Sequence, residues 1–184
     1  EGFLADAHGR NMIAHGQLAL DRHGKFLAMR IDWIVDLGAY LSPGAQGHVR
    51  NTTNCMTGVY LIPALYGTYR IPLTNTTPLA SYRGAGRPDV AYAVESLVNQ
   101  AAAEIGMDPA ELRRRNFIPP SAFPYSSPTA GVYGGVYEKA DLPGMLEKAL
   151  KLADWKGFAK RRAKSQAAGK LRGIGISTVI ENTG

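Results

Sequence analysis

Cysteine is what this chain has least of: Cys55 stands alone among 184 residues. A single thiol excludes an internal disulfide and any multi-cysteine zinc or iron–sulfur site built by this chain, and it fits a reducing, cytoplasmic setting. Long apolar runs are missing as well. None approaches the ~20 residues of a membrane span, so no membrane-crossing helix is expected. No glycine-rich stretch ends in Lys-Ser or Lys-Thr, which removes the phosphate loop of nucleotide hydrolases. His8, His15, His23 and His48 lack metal-ligand spacing, so no metal site is expected and each reads as a surface or hydrogen-bonded histidine. The sequence opens on Glu1-Gly2-Phe3, with neither an initiator Met nor a signal-peptide pattern, and it stops just after a strand-like run at residues 173–180. The expectation is an internal segment of a longer polypeptide.

What is present is ordinary for a globular domain. With 45% hydrophobic residues, the chain can bury a sizeable core. The net charge of +6 would suit an anionic partner, but the surplus sits in Arg113-Arg114-Arg115 and in residues 156–172. These runs fall on expected helices and lack the interleaved aromatics of a single-strand binder, so they read as solvated helix faces and no nucleic-acid partner is expected. Cys55, Trp33, Trp155 and Phe158 read as packing residues.

Residues 11–20 and 25–35 are apolar with partial alternation, and Asp21-Arg22-His23-Gly24 between them is a turn signal, which predicts a β-hairpin. Residues 45–68 leave a short helix and a buried run both open. Residues 69–75 and 78–82 favour strand. From Pro88, Val90, Val94, Leu97, Val98, Ala101 and Ile105 recur at spacings of three and four, predicting a helix that Gly106 ends. Asp108-Pro109-Ala110-Glu111 predicts a capping box in which Glu111 reaches back, opening a helix through Arg115. Residues 118–136, rich in Pro, Ser, Gly and Tyr, read as a surface excursion. Asp141 caps a helix striped with Met145, Leu146, Ala149, Leu150 and Ala153, and another helix covers residues 158–168. Strands, then helices, then a strand predict an α+β fold: a mixed or antiparallel sheet with packed helices in one domain-sized piece. Residues 1–82 are expected mainly β, 83–170 to carry the glycine loop and helices, and 171–184 to form a strand.

The stretch Ser81-Tyr82-Arg83-Gly84-Ala85-Gly86-Arg87-Pro88 joins the β-favouring run to the long helix. Gly84 and Gly86 let the backbone take φ > 0 and lie against a bulky group, while Pro88 presets a first helical turn. An anion there would meet backbone donors, a helix N-terminus and two guanidinium groups. Two readings stay open, a binding loop and a plain turn with solvated arginines. On these grounds alone a free-standing anion- or nucleotide-binding domain and a basic nucleic-acid module remain alternatives.

The same stretch, followed by Glu95 and by Gly106-Met107-Asp108-Pro109-Ala110-Glu111-Leu112-Arg113-Arg114-Arg115-Asn116, resembles the molybdenum hydroxylases, the family of xanthine dehydrogenase, aldehyde oxidase and aerobic carbon monoxide dehydrogenase large chains. Asp6-Ala7-His8-Gly9-Arg10, Asp36-Leu37-Gly38-Ala39-Tyr40 and Arg70-Ile71-Pro72 agree with it in spacing, and the flavour is nearest the bacterial carbon-monoxide-dehydrogenase-like large chains. The resemblance implies an oxidoreductase whose molybdenum–pyranopterin (molybdopterin) cofactor, in its cytosine dinucleotide form, meets the main-chain amide of Arg83, with Tyr82, Gly84, Ala85 and Gly86 lining the same wall. It implies that no catalytic residue lies in this chain, because the glutamate general base belongs beyond its C-terminal end; Glu181 is not assigned that role. The implied partners are the remaining domains of the large subunit, iron–sulfur and FAD subunits, and a small-molecule substrate. The isolated chain is expected to be inactive and to carry no cofactor. Copper-dependent CO oxidisers place a cysteine after the loop arginine. Here that position is Gly84, so hydroxylation of an aldehyde or heterocycle is the expected reaction.

Overall fold

The computed structural model describes residue 2 and residues 6–130 and 135–181. Its centre is the expected hairpin. Strand β1 (Met12–Leu20) runs antiparallel to β2 (Phe26–Val35), pairing Met12 with Val35 and Gly16 with Ile31, and β3 (Ala64–Arg70) adds to the other edge of β2 in parallel, Ala28 opposite Ala64. The three-stranded sheet is therefore mixed, in the order β1-β2-β3. β2 is central, and its alternation shows it: Met29, Ile31, Trp33 and Val35 are buried while Arg30 between the first two is exposed.

Residues 45–68 hold both the short helix and the buried run. Helix α1 (Ala45–Asn54) comes first, and Met56, Val59, Tyr60 and Ile62 follow into the core. The ladder of β3 ends at Arg70, earlier than the β-favouring composition of residues 69–75 predicts. Residues 78–82 contribute one isolated bridge, Leu79 with His8. A second, two-stranded sheet pairs β4 (Tyr125–Ser126) with β5 (Val136–Tyr137) inside the excursion, whose residues 131–134 lie outside those described.

Helix α2 (Arg87–Glu104) buries Val90, Val94, Val98, Ala101 and Ala102, with Leu97 against Gly16 of β1. Ile105, expected on that stripe, is 44% exposed because the helix has ended before it. Helix α3 (Pro109–Asn116) starts where the sequence predicts, and the Asp108 carboxylate accepts from Ala110 N at 2.8 Å and Glu111 N at 3.1 Å. Glu111 does not reach back, since Arg114 and Arg115 of the same helix take its carboxylate. Asn116 closes α3 onto the hairpin: its Nδ2 donates to Gly24 O and its Oδ1 accepts from Phe26 N, both at 2.8 Å. Phe26, Tyr60 and Phe117 pack ring on ring there, with centroids 5.5 and 5.8 Å apart. Helices α4 (Leu142–Leu152) and α5 (Phe158–Ala167) follow, the first capped by Asp141. Strands around one core with helices packed against them make this an α+β fold.

Two expectations are corrected. The run at residues 173–180 joins neither sheet. Its apolar residues Ile176 and Ile180 pack on the core, but its backbone is claimed by side chains of α2 and α3 instead of a neighbouring strand. Residues 182–184 of that expected strand lie outside those described. The arginine run at 113–115 is a solvated face only in part. Arg114 and Arg115 are partly exposed and paired with carboxylates, but Arg113 is fully buried.

Candidate functional site

The approach to the glycine loop is pinned from three sides. Asp36 gathers it at one end, accepting from Thr74 Oγ1 at 2.6 Å, Gly38 N at 2.7 Å, Thr76 Oγ1 at 3.2 Å and Asn11 Nδ2 at 2.6 Å. Burial works to raise the Asp36 pKa, yet these donors outweigh it and hold the carboxyl below its ordinary value. Leu79 N then donates to Leu37 O and Ala80 N to His8 O, while Ser81 Oγ donates to Gly44 O at 3.1 Å. The sequence motifs at residues 6–10 and 36–40 are thus the mounts of the loop, distant in the chain and adjacent in space.

The loop is a double turn, with Ala85 N donating to Tyr82 O at 2.8 Å and Arg87 N to Gly84 O at 3.0 Å. Arg10, itself left-handed at φ 62°, donates from Nη2 to Arg83 O at 2.7 Å and lays its guanidinium over the Tyr82 ring, 5.0 Å from the centroid. That contact holds the Arg83 carbonyl on the Arg10 side. Tyr82 and Arg83 are exposed, Gly84 and Ala85 half-buried. Among the described residues, neither the Arg83 nor the Gly84 amide is taken by a backbone acceptor. A half-buried backbone with donors that no backbone acceptor among the described residues takes, and three left-handed residues in sequence, Gly84 at φ 84°, Ala85 at φ 38° and Gly86 at φ 91°, is a fit for an oxygen-rich anionic group such as a pyranopterin phosphate.

The two glycines differ. A Cβ on Gly84 would sit 2.8 Å from Pro88 Cδ, a contact within the loop. A Cβ on Gly86 would sit 2.2 Å from His48 O and 3.0 Å from Thr52 Cγ2, so Gly86 is where α2 closes on α1. Gly86 is buried at φ 91°. His48, on the same turn of α1, is wholly buried with Nε2 3.2 Å from Asp89 Oδ2.

Sequence reading missed a buried polar cluster behind the loop. Glu95 is 4% exposed and Arg113 fully buried. Arg113 donates to Glu95 Oε2 through Nε at 3.0 Å and Nη2 at 2.7 Å. Tyr60 OH at 2.5 Å and Thr178 Oγ1 at 3.1 Å donate to the other carboxylate oxygen. Burial, with the Glu95 charge beside it, pushes the Tyr60 phenol far above its ordinary value, so it stays a donor. The only signal in the sequence was that the family-like stretch contains Glu95 and Arg113; their burial depends on packing. Cys55 is buried as expected, and burial raises its thiol pKa against the weaker pull of Arg87 beside it. No group of three or more His, Cys, Asp or Glu residues among those described could hold a metal ion. No helix among them is long and apolar enough to cross a membrane.

Residues 1–117 match the molybdopterin cofactor-binding domain family. The chain is 32% identical to the nicotine 6-hydroxylase large subunit of Paenarthrobacter nicotinovorans over 100% of its own length and 22% of that protein's. It is 34% identical to the xanthine dehydrogenase molybdenum-binding subunit of Escherichia coli O157:H7, covering 96% of this chain and 22% of that one. The solved structure of quinoline 2-oxidoreductase from Pseudomonas putida 86 superposes with a TM-score of 0.81 at 29% identity, over 91% of this chain and 21% of that one. The chain thus spans between a fifth and a quarter of each of these three relatives.

Proposed function

The chain belongs to the molybdopterin cofactor-binding domain family, and from that premise we propose that it forms one wall of the cofactor site in the large subunit of a molybdenum-containing hydroxylase. The observation that carries the reading is the pair of amides at Arg83 and Gly84 that no backbone acceptor among the described residues takes, on a loop where Arg10 holds the Arg83 carbonyl. Those amides would hold the cofactor; Tyr82 and Ala85 would flank it, and Gly86 would act from behind by seating the loop on α1. When bound, the molybdenum group supplies oxidative hydroxylation of a substrate carbon. This chain's part is to bind and orient the group through fixed backbone donors, which need no reorganisation during turnover.

The substrate class we propose is a nitrogen heterocycle or an aldehyde. Nicotine, xanthine and quinoline, named in the relatives, are nitrogen heterocycles. Gly84 offers no sulfur ligand to copper, and Cys55 is buried beneath Arg87, which disfavours copper-dependent CO oxidation. The cytosine dinucleotide form of the pterin, iron–sulfur and FAD partner subunits, a general base supplied by the rest of the large subunit and a cytoplasmic location belong to the same proposal.

The test is molybdenum and pterin content of the full-length subunit in two variants at one position. Arg83→Ala keeps the amide and should keep the cofactor; Arg83→Pro removes the donor and should lose it, with circular dichroism confirming the fold. Full occupancy in a folded Arg83→Pro subunit would exclude the amide contact, and loss in Arg83→Ala would move the contact to the side chain. Acid hydrolysis and chromatography of the released nucleotide identify the dinucleotide form.

A further inference from the structure

The buried Glu95 cluster does more than fill the space between α2 and α3. Besides Arg113 and Tyr60, Glu95 Oε2 accepts from the backbone N of Thr178 at 2.8 Å, and Arg113 Nη2 donates to Ile176 O at 3.2 Å. Thr178 Oγ1 closes the set, 2.8 Å from Tyr60 OH and 3.1 Å from Glu95 Oε1. Residues 176–178 are in no sheet, so these side chains stand in for the missing strand partner. Three residues further on, Glu181 Oε1 lies 3.4 Å from Arg87 Nη1, and 3.9 Å from the point where a Cβ on Gly84 would sit. Arg87 is the first residue of α2 and ends the glycine loop; its side chain is 18% exposed, and its buried Nε has no hydrogen-bond partner among the described residues. A small cavity is lined by Glu95 and Thr178 of the clamp together with Cys55 and Arg87.

We propose that Glu95 and Arg113 are positioning residues for the glycine loop: they clamp Thr178 and thereby deliver Glu181 to Arg87, which fixes the helix end of the loop while Arg10 holds the Arg83 carbonyl. The chemistry is suited to this. A fully desolvated carboxylate with five donors has one low-energy arrangement, so its grip on Thr178 is directional where apolar packing of Ile176 and Ile180 alone would let the segment slide. Glu181 is half-exposed and acts locally, by placing the largely buried Arg87 guanidinium at the end of the loop. That the loop so fixed meets the cofactor rests on the function proposed above; the coupling between clamp and loop does not.

The experiment uses the full-length subunit and hydrogen–deuterium exchange of peptides covering residues 82–88 and 174–181, together with molybdenum and pterin content. Glu95→Gln removes the charge at the centre of the clamp. Thr178→Val removes only the hydroxyl and serves if Glu95→Gln does not fold; Thr178→Ser restores the hydroxyl, and Glu181→Gln breaks only the far end. Exchange at 174–181 should rise about tenfold in Thr178→Val, the factor for one lost hydrogen bond to a charged group, and exchange at 82–88 should rise with it. Thr178→Ser should return both to the parent level, and Glu181→Gln should loosen 82–88 while leaving the clamp intact. Faster exchange at 174–181 with 82–88 unchanged overturns the proposal, as does an unaltered loop in Glu181→Gln. A loosened loop at full molybdenum and pterin occupancy supports the coupling and instead refutes the cofactor contact.

Discussion

Gly86→Ala separates a glycine that serves helix packing from one that only serves a turn. The added Cβ would lie 2.2 Å from His48 O, and backbone on both sides leaves neither atom free to move. The position is also left-handed at φ 91°, which costs an L-residue roughly 1–2 kcal/mol before any clash. Forcing α1 and α2 apart to admit a methyl adds about 1–3 kcal/mol, as overpacking of a close-packed interior does. The sum is about 2–5 kcal/mol. Gly106→Ala is the internal control, because Gly106 is left-handed at φ 65° yet a Cβ there would meet nothing within 4 Å. It should cost only the conformational part, about 1–2 kcal/mol. Urea unfolding followed by circular dichroism measures both, and the difference between the variants isolates the contact with α1. A Gly86→Ala chain as stable as Gly106→Ala would refute the close approach of α2 to α1 and return Gly86 to the list of residues free to face a ligand.

Three further outcomes follow from named groups. Glu95→Leu or Arg113→Met should each destabilise the fold by about 3–5 kcal/mol by stranding the buried partner, while the apolar double replacement Glu95→Leu with Arg113→Met should recover part of the loss; a strictly additive double-mutant cycle in urea would show that the pair does not interact. The Asp36 carboxyl has a folded pKa depressed below its ordinary 3.8, so its contribution is complete above that value and is lost as pH falls through the lower folded value. Asp36→Asn should therefore lower the melting temperature near neutral pH and flatten its decline on acidification, and an unchanged acid limb would refute the assignment. Cys55, buried with a raised pKa, should react with an aromatic disulfide reagent far more slowly in the native chain than in urea, and equal rates would contradict its burial.

The sequence by itself determined what is local. The hairpin turn at Asp21-Arg22-His23-Gly24, the Asp108 and Asp141 caps and the α2 stripe depend on residues within a few positions of one another, and their chemistry is complete there. The glycine loop was visible for the same reason, because a left-handed turn into a proline-led helix needs those residues in that order. Only the tertiary structure decided which side of the loop is offered and what holds it. Gly84 and Gly86 look alike in sequence, but one faces its own proline and the other the carbonyl of His48, a residue 38 positions earlier. Arg113 read as part of a solvated basic run because charge predicts solvent unless a partner is known, and its partner Glu95 lies on another helix. Residues 173–180 carry the apolar composition of a strand, but a strand exists only where a neighbouring backbone offers a ladder. Here the desolvated carboxylate of Glu95 and the guanidinium of Arg113 took that place, and burial made those hydrogen bonds strong enough to hold the segment without one.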